Sequence, residues 1–342
     1  MKFKQLGKTG VLLSELCFGT MTFGGRGYWK AIGQLAEDEV TQLVKTAIDH
    51  GVNFFDTANA YSEGLAETLF GKALKNLGIN SQTVFIATKV RLRMGEGANQ
   101  VGLSKLHILD SVDDSLQRLG LSHIDMLYIH GVDPITSLEE TMRALEDVVR
   151  SGKVRYLGVS NHPAWMVMKA NSFAANLGWS KFVASQNFYS IASRDIEREI
   201  VPMALSEGIS IMPWSPLAGG FLSGKFKRES KTDGDNRRDN FDFPPINKDK
   251  AFDIIDVMSK IGDRYGVSVA RVALSWTKEK TGVTSVIIGA KSQEQLLDNL
   301  ACIQLQLTPD EMKELDAISA LTPEYPGWMV DRQLTGRFPE NK

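Results

Sequence analysis

Cysteine is scarce in this sequence. Cys17 and Cys302 are the two that occur in 342 residues, both in apolar surroundings that read as buried, reduced thiols, which argues against a disulfide scaffold. There is no run of about 18 apolar residues, so no hydrophobic transmembrane helix is expected. Between Met1 and Leu6 lysine alternates with apolar residues, and the apolar core of a signal peptide is missing; cytoplasmic residence is the expectation. Charge of one sign is also lacking. The 39 basic and 41 acidic residues leave a net charge of -2, with no basic excess for nucleic acid and no basic amphipathic segment for a membrane surface. The five histidines (His50, His107, His123, His130, His162) show no H-x-x-x-H spacing, and no cysteines are paired, so no metal site is expected. Two nucleotide-binding loops are missing. After Gly19 the chain runs Thr20-Met21-Thr22-Phe23-Gly24-Gly25, which is not G-x-G-x-x-G. Gly7-Lys8-Thr9 would need a glycine where Lys2 stands to make a P-loop.

What is present is an ordinary globular composition, 43% apolar and 23% charged, which excludes a disordered or fibrous chain. Short apolar runs suited to strands buried on both faces fall at Leu16–Gly19, Asn53–Thr57, Val84–Val90, Ile124–His130, Arg155–Ser160, Phe182–Asn187, Ser210–Trp214 and Ser285–Gly289. Amphipathic helical stretches such as Glu39–His50, Leu106–Leu119 and Leu138–Arg150 alternate with them. Ser137 with Glu140 reads as a capping box, and Gly51, Gly120, Gly152 and Gly208 stand where left-handed C-caps are wanted. Strand and helix alternating eight times, with no break in composition, predict one α/β domain over residues 1–342, a (β/α)8 TIM barrel. A doubly wound sheet is the alternative, and the missing dinucleotide fingerprint speaks against it. Phe3–Leu13 reads as a β-hairpin ahead of the barrel. Three connections are too long to be simple links and follow strand C-termini: Thr20–Ala36, Arg91–Leu103 and Ser215–Lys248, the last passing through the charged run Lys231–Asn240, which reads as solvated surface. A tail from Leu321 to Lys342, with Tyr325, Trp328 and Met329, follows the last expected helix.

Ionisable groups cluster at three successive strand ends. Asp56 ends the second strand and Tyr61 follows five residues later; Lys89 ends the third and His130 the fourth. Each alone has an ordinary reading: a turn-capping aspartate, a buried tyrosine, a surface lysine, a satisfied histidine. At neighbouring mouths of one parallel barrel the four together suit proton transfer to a carbonyl. Hydride delivery to a carbonyl carbon leaves an alkoxide that needs a proton, and an ammonium held against a tyrosine hydroxyl eases that transfer. Asp56 would pair with Lys89, and His130 would hydrogen-bond the substrate oxygen.

These residues resemble the aldo-keto reductase superfamily. Gly51-Val52-Asn53-Phe54-Phe55-Asp56-Thr57-Ala58-Asn59-Ala60-Tyr61-Ser62, Thr88-Lys89, Ile129-His130 and Gly152-Lys153-Val154-Arg155-Tyr156-Leu157-Gly158-Val159-Ser160-Asn161 carry the likeness, which spans nearly all of the chain. The chain is most similar to longer bacterial reductases related to potassium-channel β subunits. The resemblance implies reversible NADPH-dependent reduction of an aldehyde or ketone, with Asp56, Tyr61, Lys89 and His130 catalytic. It implies that Ser160, Asn161 and Gln186 hold the nicotinamide carboxamide and that Trp214, where many relatives have tyrosine, stacks on the ring. Thr20, Ser215, Pro216, Leu217, Gly219, Gly220 and Lys225 would line the dinucleotide, glycine allowing close approach to the pyrophosphate. At the adenosine end Gly289, Lys291, Ser292, Gln295 and Asn299 are implied. There a capped helix N-terminus beside Lys291, where relatives more often have arginine, suits a ribose 2′-phosphate and favours NADPH over NADH. Phe23, Tyr28, Trp29, Arg91, Trp328 and Met329 are candidates to line a pocket for an apolar or ring-bearing small molecule.

Two other functions compete. Some relatives are slow-turnover, NADP-binding redox sensors associated with channels, and a barrel with Lys89 as Schiff-base nucleophile would be an aldolase. The neighbouring Asp56 would keep that lysine protonated and opposes the second.

Overall fold

The computed structural model describes residues 1–226, 228, 238 and 241–334. β1 (Phe3–Gln5) and β2 (Leu12–Ser14) pair antiparallel as the expected hairpin. Eight parallel strands follow: β3 (Leu16–Gly19), β4 (Phe54–Asp56), β5 (Phe85–Val90), β6 (Ile124–Ile129), β7 (Val154–Ser160), β8 (Phe182–Phe188), β9 (Ser210–Trp214) and β10 (Val286–Ile288). They pair in sequence order, with β10 against β3. The ring closes through Ile211, whose N–H donates to Gly282 O at 3.1 Å and whose carbonyl accepts from Thr284 N at 2.9 Å. The eight apolar runs read from the sequence are these eight strands, to within two residues at either end.

Every residue of β3 through β6 is buried because both faces are covered. One face fills the barrel with Cys17, Phe54, Phe85, Ala87, Met126, Tyr128, Ala184, Met212 and Ile287, joined by Leu6 and Leu13 of the hairpin. The hairpin closes the N-terminal end: Gly7 N donates to Ser210 Oγ at 2.7 Å, and Lys4 Nζ donates to the carbonyls of Lys278 and Val283. The other face packs against α1 (Glu37–Asp49), α2 (Leu65–Asn76), α3 (Lys105–Leu119), α4 (Leu138–Arg150), α5 (Ala164–Leu177) and α6 (Ile200–Glu207). Both cysteines are buried and free.

Some local expectations need correction. Among the described residues, the connection from β9 to β10 includes two helices, α7 (Lys248–Tyr265) and α8 (Val269–Lys278), where a plain alternation has one. After α9 (Gln293–Leu300) and α10 (Pro309–Ile318), the tail folds again into α11 (Gly327–Leu334), which carries Trp328 and Met329. The Ser137 box is half formed. Ser137 Oγ accepts from Glu140 N at 3.1 Å, but the Glu140 carboxylate is drawn to the N-terminus of α3, where it accepts from Lys105 N. Of the run Lys231–Asn240, Arg238 alone is described, and it is no solvated charge. It is buried, with its guanidinium donating to Ala218 O, Pro244 O and Asp242 Oδ1. Three acceptors and the Phe221 ring beneath it replace water. The rest of the run lies outside the described residues, as do the last eight residues of the tail.

Candidate active site

Strand periodicity builds the mouth. Side chains two apart share a face. Phe54, Ala87, Tyr128, Ala184 and Met212 point inward, so Asp56, Lys89, His130, Gln186 and Trp214, each two residues further on, point into the next layer toward the C-terminal rim. Five strands thereby deliver these five side chains to the C-terminal end of the barrel.

Lys89 is fully buried and its ammonium has three acceptors: Asp56 Oδ2 at 2.5 Å, Thr57 O at 2.8 Å and Tyr61 Oη at 3.2 Å. Three N–H donors meet three acceptors, the pattern of a permanent ammonium and not of a free amine nucleophile. Burial alone works to lower the Lys89 pKa, but Asp56 and Tyr61 outweigh it and hold it above the ordinary lysine value. Gln186 Nε2 donates to Asp56 Oδ1 at 2.8 Å, so both carboxylate oxygens are engaged. Tyr61 leaves β4 on a short 3-10 turn, with Trp29 edge-on at 5.0 Å and the His130 ring edge-on at 5.8 Å. Burial first, then the positive charges of Lys89 and Arg91, holds His130 well below the usual histidine range. Its imidazole is therefore neutral at pH 7, and Nδ1 is buried with no hydrogen-bond partner among the described residues.

The other anticipated residues are placed as follows. Asn161 sits in left-handed backbone (φ +56) after Ser160. Its Nδ2 donates to Ser160 Oγ at 2.9 Å and its Oδ1 accepts from Trp214 Nε1 at 3.0 Å. The Trp214 indole is half-buried and stacks on Phe243 at 5.8 Å and 13°. Ser215, Ala218, Gly219 and Gly220 are all left-handed, and Ser215 Oγ accepts from Gly219 N. Pro216 and Leu217 lie in the same turn, and Lys225 is exposed beyond it. A Cβ placed on Gly220 or Gly289 would meet open space. Thr20 is buried, with its Oγ1 unpartnered among the described residues. Ser292 caps α9, accepting from Gln295 N at 3.2 Å, while Gln295 Oε1 reaches past the expected box to Lys291 N at 2.9 Å. Asn299 Nδ2 donates to Gly289 O. A cleft of about 290 Å³ lies between Lys291 and the loop Lys30, Gly33, Gln34, Leu35, with Glu39. These open glycines, the half-exposed indole and the orphaned polar atoms fit a dinucleotide.

Among pocket candidates, Tyr28 and Trp29 are brought to Tyr61, with their rings 4.5 Å apart. Phe23 is fully buried against Phe18, and Arg91 donates to Val132 O. Trp328 is part-exposed on α11 and meets Tyr325 edge-on. Phe243 and Arg238, which hold the loop after β9, were missed. Nothing in the local pattern sets them apart from surface.

A closed parallel barrel with its polar groups gathered at the C-terminal rim is the architecture of a barrel enzyme. The aldo/keto reductase family model matches residues 15–320, and the chain belongs to that family. It is 35% identical to versiconal hemiacetal acetate reductase of Aspergillus parasiticus, over 96% of this chain and 99% of that protein. It is 37% identical to a putative aryl-alcohol dehydrogenase of Schizosaccharomyces pombe, over 91% and 93%. It is 33% identical to a probable voltage-gated potassium channel subunit beta of Arabidopsis thaliana, over 95% and 99%. The chain is accordingly an oxidoreductase of a family that reduces small-molecule carbonyls. Among the described residues no helix is long and apolar enough to cross a membrane.

Proposed function

We propose that this chain is an NADPH-dependent reductase of aldehydes or ketones in which Tyr61 is the general acid. The observation that carries the reading is the buried contact of Lys89 Nζ with Tyr61 Oη at 3.2 Å and Asp56 Oδ2 at 2.5 Å. A nicotinamide dinucleotide, when bound, supplies the hydride. Tyr61 gives its hydroxyl proton to the carbonyl oxygen, and the phenolate left behind is stabilised by the adjoining ammonium. Asp56 keeps Lys89 charged and in place. The neutral His130 offers a hydrogen bond to the same oxygen and orients it. In reverse, the phenolate takes the proton of an alcohol.

Ser160, Asn161 and Gln186 would hold a carboxamide, with Trp214 giving the plane for its ring. One N–H of the Gln186 amide is already engaged by Asp56, which leaves its second N–H and its carbonyl for a cofactor amide. The left-handed turn Ser215–Gly220 and Lys225 would face the pyrophosphate. Lys291 and the N-terminus of α9 would take the 2′-phosphate, which supports NADPH over NADH. Tyr28 and Trp29, beside Tyr61, favour a ring-bearing or apolar carbonyl substrate. Tyr61→Phe is expected to lower aldehyde reduction by at least about a thousandfold while NADPH still binds, as measured by absorbance kinetics and fluorescence titration. Retained turnover would remove Tyr61 from the mechanism. The likeness to a protein named as a channel β subunit favours a second reading, a slow-turnover NADP-binding sensor. Rapid multiple turnover on a simple aldehyde separates the two and is the outcome expected here.

A further inference from the structure

The turn that carries Tyr61 is strained. Ser62, Glu63 and Gly64 follow it with φ of +50, +56 and +87, three left-handed residues in succession, two of them not glycine. Such backbone persists only where its surroundings impose it. On one side Ser62 Oγ donates to Phe23 O at 2.8 Å. On the other, Arg118 of α3 lies flat against Gly64, so close that a Cβ there would stand 2.8 Å from Arg118 Cδ.

Arg118 is itself held by a carboxylate. Its Nε donates to Glu67 Oε2 at 2.7 Å and its Nη2 to Ser115 Oγ at 3.2 Å. The Glu67 side chain is fully buried, and its other oxygen, Oε1, accepts from Thr88 Oγ1 at 2.5 Å. Thr88 directly precedes Lys89 in β5, with its side chain on the outer face of the strand. One buried carboxylate therefore joins the strand that carries the ammonium to the turn that carries the phenol. Such a pair is weak evidence for stability, because apolar residues of similar volume are often as stabilising as a buried ion pair.

We propose that Glu67 and Arg118 are a positioning pair that holds the Tyr61 hydroxyl in register with Lys89. The proposal rests on the reading of Tyr61 as proton donor. The test is the charge-free double variant Glu67→Gln/Arg118→Met, which removes the clamp without leaving a buried carboxylate unpaired. It is made in the full chain and assayed with NADPH and benzaldehyde beside Tyr61→Phe. The expected result is a kcat lower by roughly 10- to 100-fold, with NADPH Kd and aldehyde KM within about threefold of the parent. Where the double variant fails to fold, Arg118→Lys keeps a charge on Glu67 but loses the planar fork. It is expected to lose at least about threefold in kcat with unchanged NADPH Kd. An unchanged kcat, or a fall matched by equal loss of NADPH affinity, overturns the pair. If that happens while Tyr61→Phe is inactive, only the pair is lost; turnover retained in Tyr61→Phe instead removes the proton-donor reading itself.

Discussion

Lys89 has no exposed surface, and its charge is tolerated because every ammonium proton finds an acceptor. Replacing it separates two roles. Lys89→Met leaves the Asp56 carboxylate buried with Gln186 as its remaining side-chain partner. A buried charge stripped of its counter-ion typically costs about 3 kcal/mol or more. The variant is therefore expected to be both inactive and markedly easier to unfold, read as a lower urea midpoint. A variant as stable as the parent would mean that Asp56 is protonated in the folded chain. Asp56→Asn, by contrast, leaves Lys89 near a neutral oxygen and weakens the hold on the ammonium without orphaning an acid.

Period two explains the convergence of the site at the scale of the strand. Asp56, Lys89, His130, Gln186 and Trp214 are each two residues beyond an inward apolar side chain, so the pleat that fills the barrel also aims the chemistry. Helix ends do the complementary work. Ser104, Ser137, Asn247, Ser268, Ser292 and Thr308 all cap by accepting a backbone N–H. The start of α9 is preceded by Lys291, which lines an open cleft with Lys30, Gln34 and Glu39. Lys291→Ala is expected to raise KM for NADPH by about tenfold while changing that for NADH by less than about twofold. Steady-state kinetics with both cofactors checks this, and equal effects on the two would detach Lys291 from the 2′-phosphate.

Across the whole molecule, buried histidines set the acid limit. His107, His130 and His162 are all held below the ordinary value of 6.5, with burial the leading cause in each. Unfolding releases them to bind protons at that ordinary value, so below it these three histidines bind more protons in the unfolded chain than in the folded one. Their contribution to stability is complete above about pH 7 and is lost as pH falls through 6.5 toward the lowered native values. The urea midpoint is expected to fall between pH 7.5 and pH 5.5, and a constant midpoint over that interval would contradict the assignment. Carboxylates held low by their partners, such as Asp133 and Glu146, add to the loss only at still lower pH.

Local sequence dictates the alternation of strand and helix, the hairpin before it, and the four ionisable side-chain types at three strand ends. These are local properties: hydrophobic period, turn chemistry, and the spacing of residues along a single strand or turn. It did not determine who partners whom. Gln186 meets Asp56 across 130 residues, and Glu67 meets Arg118 across 51. Before the ring closes, nothing near Gln186 marks it as a carboxylate partner, and Glu67 reads as one more polar residue on an amphipathic helix. Arg238 looked like solvated charge for the same reason. Its acceptors, Ala218 and Pro244, come from the two ends of the loop it fastens. Closing the barrel sets the direction of each inward side chain relative to all the others. That relation between distant segments, absent from any window of sequence, is what turns four ionisable residues into one site.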